Sequence, residues 1–194
     1  MRKDDAQELF AAAMSRHGAT PVHALHKEAL QLLIQGKADL AINKLYSILF
    51  DPPHDSRIAV DLLRILLLEH RFDEAEQLTC KLPVQLLEDG QLDTLRTHVE
   101  LIAASNPAEN KIPRLMMNYY MSLEENPDQL EKRLKLASIL LKIDDIESAL
   151  EQLYAIRQAD RTFRDDIGQR GMLALFSMLG DDDELVDKYR SRIS

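Results

Sequence analysis

The sequence contains one cysteine and no tryptophan. Cys80 alone can form neither an internal disulfide nor the paired thiols of a CxxC redox motif, and it excludes a cysteine-based zinc cluster. Six glycines in 194 residues leave little material for phosphate-cradling loops, and no GxSxG, P-loop or GxGxxG pattern occurs. Lysine and arginine number 24 against 33 aspartates and glutamates, for a formal charge of −9. An acidic field of this kind excludes non-specific binding to nucleic acid or to anionic membranes. The longest apolar run, ILLL at 65–68, falls far short of the roughly 18 residues of a membrane-spanning helix. Acids stand close to the basic residues of MRKDDAQELFAAAMSRHG, a poor secretory signal. These absences lead to the expectation of a cytoplasmic, non-enzymatic protein with no cofactor, no metal, and no nucleic-acid or membrane partner.

What is present is helix-forming material. Hydrophobic residues make up 45% of the chain, enough for a core, and Leu, Ala, Glu, Lys, Gln and Arg dominate while strand formers are scarce. Start and stop signals divide the chain into ten or eleven helices joined by short connections, which requires antiparallel hairpins. Thr20-Pro21 and Asn106-Pro107 read as caps followed by proline at the first helical position, and Asn126-Pro127 repeats this with Gln129 closing a capping box. The first pair runs from Pro21 to a stop at Gly36 and from Ala38 to Phe50, halted by Pro52-Pro53. A second covers Ser56–His70 and Asp73–Lys81, closed by Pro83. A divergent pair spans 91–125, with Pro113 marking a kink or a delayed start. The fourth is Pro127–Lys142 and Asp145–Gln158, with a box made by Asp144 and Glu147. The last occupies 164–193, divided by Gly180. Residues 1–20 read as a leading or linker helix.

Ala41 and Ala75 are 34 residues apart, each opening the second helix of a pair, and Ala149 opens another in matching company. Twelve residues before Ala41 and Ala149 stand Ala29 and Ala137. A helix crossing tolerates little beyond a methyl group, so small residues returning with this period mark the 34-residue tetratricopeptide repeat. The expected fold is all-α, a right-handed superhelical stack of tetratricopeptide-like hairpins over 21–194. Its well-patterned units are 21–53, 56–83 and 127–158.

The block ENPDQLEKRLKLASILLKIDDIESALEQL at 125–153 and the closing FSMLGDDDELVDKYRSRIS at 176–194 resemble the C-terminal tetratricopeptide half of the bacterial thioredoxin-like chaperones known as YbbN or CnoX. The resemblance covers the chain from about Leu25 onward. It implies binding of unfolded or partner proteins by the helical scaffold, and contact with chaperonin through the end helix, here Asp187, Lys188, Tyr189, Arg190 and Arg192. Family members carry a thioredoxin domain, which residues 1–20 cannot supply, so the family's redox activity is not expected here. The alternatives are a structural adaptor with one fixed partner and, remotely, a small-molecule hydrolase.

Other candidates have plain explanations. His23 and His26 stand at metal-ligand spacing on one helix, yet Glu28 alone among carboxylates and cysteines stands at a matching position, and solvated surface imidazoles account for the pair. Cys80 reads as a small packed residue. The run DDDEL at 181–185 suits a helix start, with Lys188, Arg190 and Arg192 suiting its end. Positions where a carboxylate clamp for peptide C-termini would need lysine and asparagine hold His26, Leu30 and Asp61, so that clamp is absent. Met116, Met117, Tyr119, Tyr120 and Met121 cannot all face inward from one helix. Core filling is the ordinary reading, and exposure would make Met116, Met117 and Tyr120 an adaptable client-binding patch.

Overall fold

The structure is a computed structural model describing residues 21–52 and 54–193. The expected cap Thr20, the leading helix 1–20 and the repeat proline Pro53 lie outside the described residues. Among the described residues ten α-helices are formed: α1 (Pro21–Ile34), α2 (Ala38–Leu49), α3 (Ser56–Leu68), α4 (Phe72–Lys81), α5 (Gly90–Ala103), α6 (Ile112–Glu125), α7 (Leu130–Lys142), α8 (Ile146–Ala159), α9 (Ile167–Leu179) and α10 (Glu184–Ile193). Short 3₁₀ turns occupy Val84–Leu86 and Glu109–Lys111. Among the described residues there is no strand, and no helix is long and apolar enough to cross a membrane. The chain divides into two compact units, 1–95 and 96–194.

In the first unit α1 packs on α2, α2 on α3 and α3 on α4. The alanines of the repeat register lie where the pattern requires them, since Ala29, Ala41 and Ala75 are fully buried. Large apolar residues surround them, with Leu30, Leu33, Ile42, Leu45, Leu62 and Leu66 also out of solvent. His26 on α1 and Asp61 on α3 are joined inside this core, Nε2 to Oδ2 at 2.9 Å. His23 turns to a different group, contacting Arg57 at 2.6 Å and Asp55 at 3.4 Å. Both imidazoles are therefore structural, correcting the solvated reading. The three clamp-related positions, His26, Leu30 and Asp61, are all buried and none can reach a bound peptide.

In the second unit α6 packs on α7, α7 on α8 and α8 on α9. Ala137 and Ala149 are again fully buried. The C-terminal half of α5 is tied to α7 by Ser138, whose Oγ donates to the Ile102 carbonyl at 2.6 Å and accepts from the Ser105 amide at 3.1 Å. Leu101 of α5 lies so close to α9 that a Cβ on Gly171 would stand 3.0 Å from its methyl group. α5 thus packs towards α7 and α9, and α6 finds its main support on α7 instead of pairing with α5 as a hairpin.

Three of the tight turns share one construction. Gly36, His70 and Asp144 have φ of 75°, 56° and 60°, and each stands five residues before its alanine. In each the amide of this residue and of its successor return to the preceding helix: Gly36 to Leu33 and Lys37 to Leu32, His70 to Leu67 and Arg71 to Leu66, Asp144 to Leu141 and Asp145 to Leu140. That is the left-handed helix stop usually given to glycine. Asp144 therefore ends α7, and the cap of α8 is Asp145, whose carboxylate accepts from the Ser148 amide at 3.2 Å. The expected box of Asp144 with Glu147 is corrected accordingly.

Other starts differ for similar local reasons. The Asn126 side chain accepts from the Asp128 amide at 3.3 Å, forming a turn, and α7 begins only at Leu130. Asn106-Pro107 opens no helix, because a 3₁₀ turn intervenes and α6 starts at Ile112 with Pro113 in its first turn. Pro113 is thus the delayed start and makes no kink. Arg164, Asp165 and Asp166 all have positive φ, which postpones α9 to Ile167. Cys80 is exposed, because α4 turns only Ala75 and Leu78 inward.

Candidate protein-interaction surface

α6 is amphipathic in an unusual sense, since its apolar residues lie on both sides. With 100° between successive residues, Ile112, Leu115, Met116, Tyr119 and Leu123 share the side towards α7. Of the fourteen residues only Leu123 is fully buried, while Leu115, Met116 and Tyr119 are half-buried. The opposite side carries Met117 at 61% exposure, Met121 at 55% and Tyr120 at 38%. Spaced i, i+3, i+4, these form one continuous stripe. The core-filling reading is overturned for these three residues. Methionine is unbranched and polarisable and adapts to irregular apolar partners, and tyrosine adds contact area at little entropic cost.

The helix is nonetheless held in place. Its end is fastened to α7 by Ser122, which accepts from the Lys132 ammonium and lies 3.4 Å from the Gln129 side-chain oxygen. The Asn126 amide caps it by donating to the Ser122 carbonyl at 3.0 Å. Partial burial holds the Tyr120 phenol above its ordinary range, assisted by the charge of Asp145, so the hydroxyl remains a neutral donor at neutral pH.

The second group of candidate residues sits on α10. Val186 and Tyr189 are fully buried and anchor the helix. The Tyr189 hydroxyl donates to Glu151 of α8 at 2.8 Å, and burial with this bond raises its pKa. Tyr189 is accordingly a support and offers no surface of its own. Asp187, Lys188, Arg190 and Arg192 are exposed. Lys188 pairs with Glu147 at 2.7 Å and Arg192 with Glu151 at 2.8 Å, so two cations four residues apart meet two acids four residues apart. The Arg192 bond holds the Glu151 carboxyl below its usual range. Arg192 also lies over the Tyr154 ring, 4.0 Å from its centre, and Arg190 pairs with Asp181 at 2.6 Å. From below, the buried Arg157 donates to the Ile193 carbonyl and to Gln169, both at 3.0 Å, holding the end of α10 against α8 and α9. Asp183 caps α10 through the Leu185 amide at 2.8 Å, so the DDDEL run serves the helix start.

Sequence reasoning named the charges of α10 and missed their partners. The matched spacing of Glu147 and Glu151 with Lys188 and Arg192 was the available signal. A shallow depression of about 290 Å³ lies beside this helix, lined by Leu173, Phe176, Ser177, Gly180, Asp181 and Arg190. Its charged groups are the single Asp181–Arg190 pair, and it gathers no further acid or base. Among the described residues no group of three or more His, Cys, Asp or Glu is placed to hold a metal ion.

Helical hairpins with buried alanines at 34-residue spacing and short left-handed turns define an all-helical, tetratricopeptide-like stack. Residues 117–194, from within α6 to the end, match the tetratricopeptide repeat family. Among curated proteins no match was found. Among solved structures the chain is similar to a domain of a Vibrio parahaemolyticus protein of unknown function, at 25% identity over 87% of this chain and 95% of that one, with a TM-score of 0.35.

Proposed function

We propose that this chain is a protein-interaction module of the chaperone-associated kind, and that the exposed stripe of α6 takes up apolar segments of unfolded or partner proteins. The observation that carries this reading is the exposure of Met117, Tyr120 and Met121 on a helix whose supports, Leu123 and Ser122, lie on its other side. Apolar side chains held on an ordered helix offer area to a client without the entropic penalty of ordering a loop. Replacing all three with serine is expected to abolish suppression of aggregation of two unrelated denatured proteins while leaving the circular dichroism melt unchanged. Undiminished suppression would overturn the reading. A fixed-partner adaptor would instead protect neither protein and retain one dominant partner.

The likeness to YbbN or CnoX supports a chaperonin as the larger partner, with α10 as the docking element. Its ion pairs to Glu147, Asp181 and Glu151 are open to solvent, where such pairs contribute about 0–1 kcal/mol, so carboxylates of a partner can exchange for them. Deleting residues 182–194 would be an unclean test, because it removes Val186 and Tyr189 from the core. Replacing both Lys188 and Arg190 with glutamine removes the cations without setting like charges against Glu147 and Asp181, and is expected to eliminate chaperonin capture with little change in melting temperature; retained capture would reject this docking role.

A further inference from the structure

We infer that the exposed stripe of α6 is self-complementary, and that in the free protein it is occupied by the same stripe of a second copy laid antiparallel across a two-fold axis. The face centred on Met117 and Met121 is bounded by Arg114 near the start of the helix and by Glu124 near its end, both exposed. Arg114 and Glu124 are ten residues apart, about 15 Å along the axis. Tyr119 lies midway between them in sequence. A two-fold axis at the level of Tyr119 brings Met117 opposite the partner's Met121 and Arg114 opposite the partner's Glu124. Each copy supplies both halves of every pair, as an isologous interface demands.

The charges select this arrangement over the parallel one. Two parallel α6 helices would set Arg114 on the partner's Arg114 and Glu124 on the partner's Glu124, which is repulsive at both ends. Among the described residues neither Arg114 nor Glu124 has an ion-pair partner within its own chain, so no internal contact must break first. Pro113 and Asn118 flank the stripe, and both are exposed as well. An extended client would cover the methionines but would have to supply a matching acid and base separately. One helix face buries less than the roughly 1,200 Å² of a stable complex, so the pairing is weak and exchanges readily. The same stripe then alternates between self-association and client capture, although the pairing does not depend on client binding.

Sedimentation velocity of the full chain over a concentration series tests this. The wild type is expected to pass from monomer to dimer as concentration rises. Arg114→Glu alone and Glu124→Arg alone each place like charges at both ends, and each is expected to weaken the dimer about tenfold. Their equimolar mixture restores both ion pairs and is expected to dimerise within about twofold of the wild type, an outcome that misfolding of either variant cannot imitate. A wild type that stays monomeric throughout, single variants that dimerise normally, or a mixture that fails to recover would overturn the inference. Dimerisation with no effect on aggregation of denatured proteins would sink the client-binding reading and leave this one standing.

Discussion

Helices α6 and α7 lie side by side with 14 and 13 residues, yet α7 buries seven residues between Leu134 and Leu141 while α6 buries Leu123 alone. Both are rich in apolar side chains. α7 is covered on two sides, by α6 and α8, and its Ser138 is bonded to α5. α6 has α7 on one side and solvent on the other. The side chains suit these positions: leucine, isoleucine and alanine fill a crossing of fixed shape, whereas methionine and tyrosine keep an adaptable surface. An apolar stripe therefore says which face a helix would bury, and the neighbours decide whether burial takes place.

The sharpest way to break this comparison is to truncate one residue on each helix. Leu140→Ala in α7, at a fully buried site, is expected to cost about 2–5 kcal/mol, while Met117→Ala in α6 should stay within about 0.5 kcal/mol. Urea denaturation measures both, and equal losses would mean that α6 is packed after all.

A second test uses pH and the helix that α6 does not pair with. His98 of α5 is 7% exposed, its Nδ1 has no hydrogen-bond partner, and burial pushes its pKa down from 6.5 to about 4. The unfolded chain takes up this proton as pH falls through 6.5, and the folded chain does so only near 4. Stability is therefore unaffected above about pH 6.5 and declines between 6.5 and 4, by up to about 3 kcal/mol. Denaturation midpoints at pH 7, 5.5 and 4 should show that decline in the wild type, and a smaller one in His98→Leu. Identical pH profiles would mean that His98 takes up its proton in the fold as readily as in the unfolded chain.

A third test lies beyond α7, where α8 meets α9. A Cβ on Gly168 would stand 2.8 Å from the Arg157 backbone nitrogen, so Gly168→Ala must shift one helix against the other. About 1–3 kcal/mol is expected from thermal or urea unfolding. No loss would show that this crossing, unlike the core of α7, has slack.

Much of the fold is legible in the sequence because it is written in local terms. Ala29, Ala41, Ala75, Ala137 and Ala149 are all at crossings, and Gly36 ends α1 as its type suggests. Starts are less legible where two candidate caps adjoin. Asp144 and Asp145 are chemically alike, and only the backbone shows which one is left-handed. Asn126 and Asn106 look like caps, yet the following residues form turns instead. Of the candidate surface, the composition of α6 was legible but its exposure was not, because periodicity is the same whether or not a neighbour covers the stripe. The burial of Tyr189 and the ion pairs of Lys188 and Arg192 depend on residues about 40 positions away, which local reading does not join.

The turn at Gly36, His70 and Asp144 is built with three different residues and one length. What the three hairpins share is thus a phase: five steps from the left-handed residue to the alanine at the crossing. Adding a single residue to that span would advance the second helix by about 100°. In α2 this would swing Ala41 out of the crossing and carry a bulky neighbour into it, although every residue type remained unaltered. For this chain, counting is as much a part of the structural code as chemistry, and a one-residue insertion in any of these turns is a graver change than the loss of Gly36 from the first.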